Sequence, residues 1–229
     1  TVSNGKFIRC QVPGDKANQK SGWFVFPNAD LPAGAFGDWR SGETGNWCIK
    51  SEVAMTPAEA LAYRIKMDKA REAREAERSR LASEAAKSAS EQWGKAAVAD
   101  RHPYLEAKGV SSFGLKLLGG KLLVPMQDMD GVIHGLQSID SVGEKRFSFG
   151  CEKKGRFFLI PGENKTAICE GYATAASVRM ATGWRVLVAF DAGNLLPVAE
   201  GWRKHHPQDE IVICGDDDAF TPNNPGKKA

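Results

Sequence analysis

Three short apolar runs near the end of the chain, Ala167–Cys169, Trp184–Phe190 and Ile211–Cys214, are separated by segments of helical pattern. One such segment runs through Met180 and the other from Leu195 to Lys204. Strand, helix, strand, helix, strand, with no polar alternation inside the runs, predicts parallel strands joined by crossover helices. Upstream, Lys121–Met126, Val132–Ile139 and Phe157–Ile160 read as strands of an antiparallel sheet, with DMDG closing a hairpin between the first two. His102–Val110 reads as a short helical piece stopped by Gly109. Before it, Thr56, Pro57 and Glu59 form a helix start, with a capping hydroxyl, a proline in the first turn and a carboxylate three residues on. The following residues to about Trp93 lack Gly and Pro, which predicts one helix of roughly 37 residues, about 55 Å long. Pairs such as Arg71 with Glu75 and Glu84 with Lys87, and the thinning of large apolar side chains after Met67, make it a solvated spacer rather than a coiled coil. The first fifty residues carry GWFVF and GNWCIK between PGD, PNAD and TGN turns, the pattern of a small β unit.

Length and composition narrow the class without choosing a function. The 229 residues suffice for one large or two modest domains with ordinary apolar and charged fractions. No apolar run approaches the ~18 residues of a membrane span and no signal-peptide pattern opens the chain, so a cytoplasmic protein with no membrane partner is expected. Thr1 is not an initiator methionine and only eleven residues follow Asp218, so the sequence reads as an excised piece whose sheet should continue past Ala229. The net charge of +3 identifies no partner. Its distribution is uneven: 11 basic against 8 acidic residues from Trp93 to Lys165, then 8 acidic against 6 basic from Thr166 onward. The five cysteines, at 10, 48, 151, 169 and 214, form no C-x-x-C pair, so reduced thiols and no zinc site are expected.

The candidate chemistry lies where the apolar runs end. Glu170 and Gly171 follow the first run, and Gly215 with Asp216, Asp217 and Asp218 follows the third. Ligands of open parallel sheets gather outside the carboxyl ends of the strands. Several carboxylates converging there repel unless they share a cation, and a hard divalent ion with oxygen ligands suits them. Magnesium is usually held by one or two carboxylates together with substrate phosphates, which suits chemistry on phosphates.

Glu-Gly at one strand end and Asp-x-Asp after the third resemble the Toprim domain shared by DnaG-type primases, topoisomerases and some nucleases. HPYLEAKGV, LLVPMQDMDGVIHGLQSID and EKRFSFG resemble the segment preceding Toprim in the primases of plasmids and phages, so about half the chain carries the likeness. AGAFGDWRSGETGNW resembles the leading module of some of the same proteins. The resemblance implies an α+β chain with an α/β, Rossmann-like Toprim domain at 166–229, cut short at its end. A basic α+β primase subdomain at 95–165, a charged linker helix at 53–94 and a small β-rich, nucleic-acid-binding module at 1–52 precede it.

It further implies a DNA primase that joins ribonucleotides on single-stranded DNA in plasmid or phage replication. Mg2+ or Mn2+ would be held by Glu170, Asp216 and Asp218, with Glu170 as a further ligand or a general base. Single-stranded template and ribonucleoside triphosphates would be its partners, with a replicative helicase as a further candidate. Lys145 and Arg146 are the expected contacts to template or triphosphate, against an ordinary charged sheet rim, and Lys121 and Arg156 belong to the same basic set. Asn194, after the second strand, either orients a phosphate or metal-bound water or serves a turn. Trp39 and Arg40 are candidate contacts of the leading module, whose tryptophans otherwise form its core. A metal-dependent nuclease and a non-catalytic DNA-binding module remain the competing readings. A topoisomerase would need a nucleophilic tyrosine in a setting that Tyr63, Tyr104 and Tyr172 do not have.

Overall fold

The computed structural model describes residues 8–15, 20–26, 33–38, 43–48 and 56–215. The chain divides into two compact units, Thr1–Glu72 and Ala73–Ala229.

In the first unit, β1 (Ile8–Cys10), β2 (Gly22–Val25), β3 (Ala33–Asp38) and β4 (Thr44–Cys48) form an antiparallel sheet in sequential order. Asp15 ties the segment between β1 and β2. Its carboxylate accepts the Val12 and Ser21 amides, each at 3.0 Å, and the Ser21 hydroxyl at 2.5 Å. Phe26 stacks on Phe24 and on Trp47, with ring centres 5.0 and 5.5 Å away. Gly34 leaves room for that ring, since a Cβ there would lie 2.4 Å from Phe26. Trp39 and Arg40 lie outside the described residues.

Helix α1 (Pro57–Lys95) begins with the expected reciprocal cap. The Thr56 amide donates to the Glu59 carboxylate at 2.8 Å and the Glu59 amide to the Thr56 hydroxyl at 3.3 Å. Arg80 bridges Glu77 and Glu84 on the solvent side. The last turns depart from the expected solvated rod. Ala85 and Ala89 are buried, and Ala89 and Trp93 pack on Leu123 and Leu136. Small alanines let the helix approach a sheet closely, and Lys116 donates its ammonium to the Trp93 carbonyl at 2.9 Å near the helix end.

That sheet consists of β5 (Ala97–Val98), β6 (Lys116–Leu118), β7 (Lys121–Gln127), β8 (Ile133–Ile139) and β9 (Lys145–Phe147), antiparallel in that order; α2 (Pro103–Lys108) lies between β5 and β6 in the chain. His102 caps α2 by accepting the Tyr104 amide on Nδ1, and Gly109 ends it in the left-handed conformation at φ 63°. β7 is buried on both faces: Leu122, Val124 and Met126 enter the main core, while Leu123 meets α1.

The second sheet has the order β10-β12-β11-β13, from β10 (Phe158–Ile160), β11 (Glu163–Cys169), β12 (Trp184–Val188) and β13 (Ile211–Cys214). β11 runs parallel to β12 and β13, whereas β10 is antiparallel to β12. Phe158–Ile160 therefore does not complete the antiparallel sheet as its pattern suggested. An isolated bridge between Gln127 and Phe157 links the residue just before it to β7. Helix α3 (Tyr172–Thr182) covers one face of the parallel strands, packing Ala175 and Ala176 with Ala167, Cys169, Val186 and Val188. Helix α4 (Leu195–His205) covers the other, where Leu195, Val198 and Trp202 meet Ile168 and Leu187. Parallel strands covered on both faces read as unbroken apolar runs.

Asp209, beyond α4, fastens the opposite edge of this sheet. It accepts Trp202 Nε1 at 3.0 Å, the Thr166 hydroxyl at 3.1 Å and Arg185 at 2.9 Å, which together hold its carboxyl below the usual carboxylate range. Tyr172, fully buried at the start of α3, accepts the Phe113 amide at 2.8 Å and donates to the Ser111 carbonyl at 2.9 Å. Burial pushes its phenol up to about 12. Tyr172→Phe strands both backbone partners and is expected to cost about 1–3 kcal/mol, read as a lowered urea midpoint at unchanged slope. Among the described residues no helix is long and apolar enough to cross a membrane.

Candidate active site at the carboxyl edge of the parallel sheet

Cys169 is in register with Cys214 on one side and Val188 on the other, so Glu170, Gly215 and Ala189 emerge level from three adjacent strands. Neighbouring strands lie about 4.8 Å apart, which makes this edge a narrow row of backbone ends. Glu170 is half-buried in the centre of the row. Gly171 then adopts extended backbone, φ −122° and ψ 156°, and caps α3 without a side-chain hydrogen bond. The first turn of α3 carries no acid. The row thus pairs a carboxylate with the positive end of a helix. Asp216 and Asp218, the other expected ligands, lie outside the described residues.

Lys145, at the start of β9, reaches this edge: its Nζ is 3.7 Å from where a Cβ on Gly171 would stand and 6.0 Å from the Tyr104 ring centre. Arg146 follows it in the strand and therefore points to the opposite side, where it grips Glu144 with contacts of 3.0–3.1 Å. Lys121 precedes Leu122, which is in register with Ile139 and, through it, with Lys145. Lys121 is therefore exposed at the same end of the antiparallel sheet, two strands away.

Two expected contacts are engaged by partners within the fold. Asn194 is 3% exposed. Its Nδ2 donates to the Ala189 and Arg156 carbonyls at 2.7 and 2.9 Å, and its Oδ1 accepts the Gly155 amide at 2.7 Å. With those bonds made, it holds the Lys153–Arg156 turn against the end of β12 and has no donor left for a phosphate. Arg156 is mostly buried and engaged by Glu152 at 3.2 Å and Asp128 at 3.9 Å, so it braces the same turn.

Sequence reasoning missed Asp191. It follows β12 closely and ion-pairs with Lys153, whose Nζ sits 5.2 Å over the Phe147 ring. The signal was available as a third acid beyond a strand end. Phe190, just before it, has φ 74°, a left-handed conformation that costs a bulky residue about 1–3 kcal/mol. It is held there by burial and by an edge-on stack against Phe147, ring centres 6.0 Å apart. This reversal turns the β12 acid toward Lys153, while Phe147 and Lys153 fasten the β9–β10 connection to the parallel sheet.

Residues 165–229 match the Toprim domain model. The parallel strands β11, β12 and β13, with the Glu-Gly strand end, lie in the stretch that is similar to a Toprim domain. It is 34% identical to a DNA primase TraC of Escherichia coli over 231 residues, 95% of this chain and 21% of that protein. To a second DNA primase TraC of Escherichia coli it is 30% identical over 250 residues, 99% of this chain and 17% of the relative. The chain thus spans about a fifth of the length of the curated relatives it matches. Among solved structures it is similar to the primase fragment of the bacteriophage T7 primase-helicase protein, at 16% identity and a TM-score of 0.44, covering 59% of this chain and 60% of that one.

Proposed function

We propose that this chain is the catalytic region of a DNA primase, synthesising RNA primers on single-stranded DNA by metal-dependent nucleotidyl transfer in plasmid or phage replication. The observation that carries the reading is the β11–β13 register, which sets Glu170 level with Gly215, one residue before Asp216. Similarity to two DNA primases over nearly the whole chain supports the same class.

The donor set fits a hard cation, since Glu170, Asp216 and Asp218 offer only carboxylate oxygens, the ligands magnesium or manganese takes. Bound there, one such ion would lower the pKa of the attacking 3′-hydroxyl while a second would neutralise the leaving pyrophosphate. Lys145 supplies positive charge beside the strand end for triphosphate or template, and Lys121 extends that charge along the sheet end. Arg146 tracks template only by releasing Glu144. The module at 1–52 adds nucleic-acid contacts, and a replicative helicase is the expected partner in a cytoplasmic replication complex.

The test incubates the protein with single-stranded DNA, magnesium and labelled ribonucleotides. New short RNA that depends on both template and magnesium is expected. Shortened DNA would make the site a nuclease, and DNA binding indifferent to magnesium would make the chain a non-catalytic module.

A further inference from the structure

Two cavities, of about 550 and 280 Å³, lie between α1 and the Ser148–Lys154 segment, one on each side of the contact that Leu81 makes with Gly150. A Cβ on Gly150 would stand 2.9 Å from that of Leu81, so helix and segment touch there and part in both directions. The two cavities make one groove along α1 from Glu75 to Gln92, about 26 Å at the helical rise. None of the residues proposed for nucleotidyl transfer lines it.

Three features select a peptide. Phe149 lines the smaller cavity and is 85% exposed, beside a partly buried Leu81. A large aromatic ring left in water within a polar surround marks an interaction surface. The second feature is charge. Glu84 is taken by Arg80, Glu152 by Arg156, and Lys153 by Asp191. Among the described residues Arg78 and Lys154 form no ion pair, and both are exposed on the larger cavity. A surplus of positive charge is therefore left for an incoming carboxylate. The third feature separates protein from nucleic acid. Carboxylates of Glu75, Glu84 and Glu152 also line the groove. A strand charged at every phosphate would meet all three, whereas a peptide can set its acids against Arg78 and Lys154 alone.

We propose that this groove docks a partner protein through an acidic segment carrying a bulky apolar side chain, which packs on Phe149 and Leu81 while its carboxylates meet Arg78 and Lys154. Recognition of acidic motifs by clustered cations is a recurring mode of peptide binding. Lys153 shares the larger cavity and holds Asp191 beyond β12, so a docked carboxylate reaches a residue tied to the parallel sheet.

The full chain is titrated with a fluorescein-labelled DDFDDF peptide, with KKFKKF and DDADDA peptides as controls and a single-stranded oligo-dT as the nucleic-acid probe. The variants Phe149→Ala, Arg78→Glu and Lys154→Glu change exposed side chains, so each should keep the parent's urea midpoint. DDFDDF is expected to saturate the chain and to weaken as salt is raised. It should lose about tenfold in affinity in Phe149→Ala and about fivefold in each charge reversal, and both controls should bind the parent about tenfold more weakly. Failure of DDFDDF to saturate, or binding unchanged in all three variants, would overturn the proposal. So would losses confined to oligo-dT, which would assign the groove to nucleic acid, or a self-association of the parent that Phe149→Ala abolishes, which would assign it to a second copy of the chain.

Discussion

Glu170→Gln is expected to reduce magnesium-dependent primer synthesis about a thousandfold while leaving the fold intact. Glutamine has the same size and keeps one carbonyl oxygen, so packing at the half-buried end of β11 changes little. On the proposed reading, it would remove the negative charge that holds a dication against water. Metal stabilisation of the developing charge is worth several kcal/mol, and ~4 kcal/mol corresponds to roughly three decades in rate. Asp216→Asn should do comparable damage, and the double variant should lose little more, because residues serving one ion are strongly non-additive. The same experiment separates ligand from base. If Glu170 binds the ion, raising magnesium restores part of the lost rate; if it takes the proton from the attacking hydroxyl, added metal restores none and the pH profile loses its acidic limb. Wild-type rates at ordinary magnesium would refute the assignment.

The fold was legible wherever one segment's pattern decided its own environment. The unbroken apolar run at Ala167–Cys169 reads as a strand covered on both sides, and it is, with α3 and α4 on opposite faces; Ile211–Cys214, read the same way, is the edge strand and leaves Ile213 48% exposed. The α1 start followed from Thr56 and Glu59, and the α2 stop from Gly109, because caps are local chemistry. What stayed hidden depended on partners distant in sequence. The three residues of β10 carry no periodicity that tells an edge of one sheet from an edge of another. The docking of α1 rests on Ala85 and Ala89, which a search for large apolar residues passes over. Lys153 and Asp191 are 38 positions apart, so neither their pairing nor the turned backbone at Phe190 could be read from either end. Of the expected site, Glu170 and Lys145 come together at one edge, Arg156 and Asn194 turn inward, and Asp216, Asp218, Trp39 and Arg40 fall outside the described residues.

Asn194→Ala is expected to destabilise the unit Ala73–Ala229 by on the order of 3–5 kcal/mol, a large effect for a side chain with no apolar mass to lose. The substitution removes one acceptor and two donors at once. The Gly155 amide and the Arg156 and Ala189 carbonyls all lose their side-chain partner, and Asn194 itself is almost wholly buried. Each unsatisfied buried group costs about 1–3 kcal/mol, discounted here because the turn can open to water once its tie is gone. That opening carries a functional consequence. The turn includes Lys153, so its release should loosen the ion pair to Asp191 and the support that Phe147 gives Phe190. Asn194→Asp should be worse than alanine, since a carboxylate would face two carbonyl oxygens with no proton to offer either. Urea unfolding of the three proteins checks the order: the midpoint should fall from parent to alanine to aspartate, with hydrogen exchange accelerated first at the Gly155 and Arg156 amides. A midpoint unchanged in the alanine variant would mean that the turn is held by Lys153 and Arg156 alone, and that the asparagine is free to serve a ligand after all.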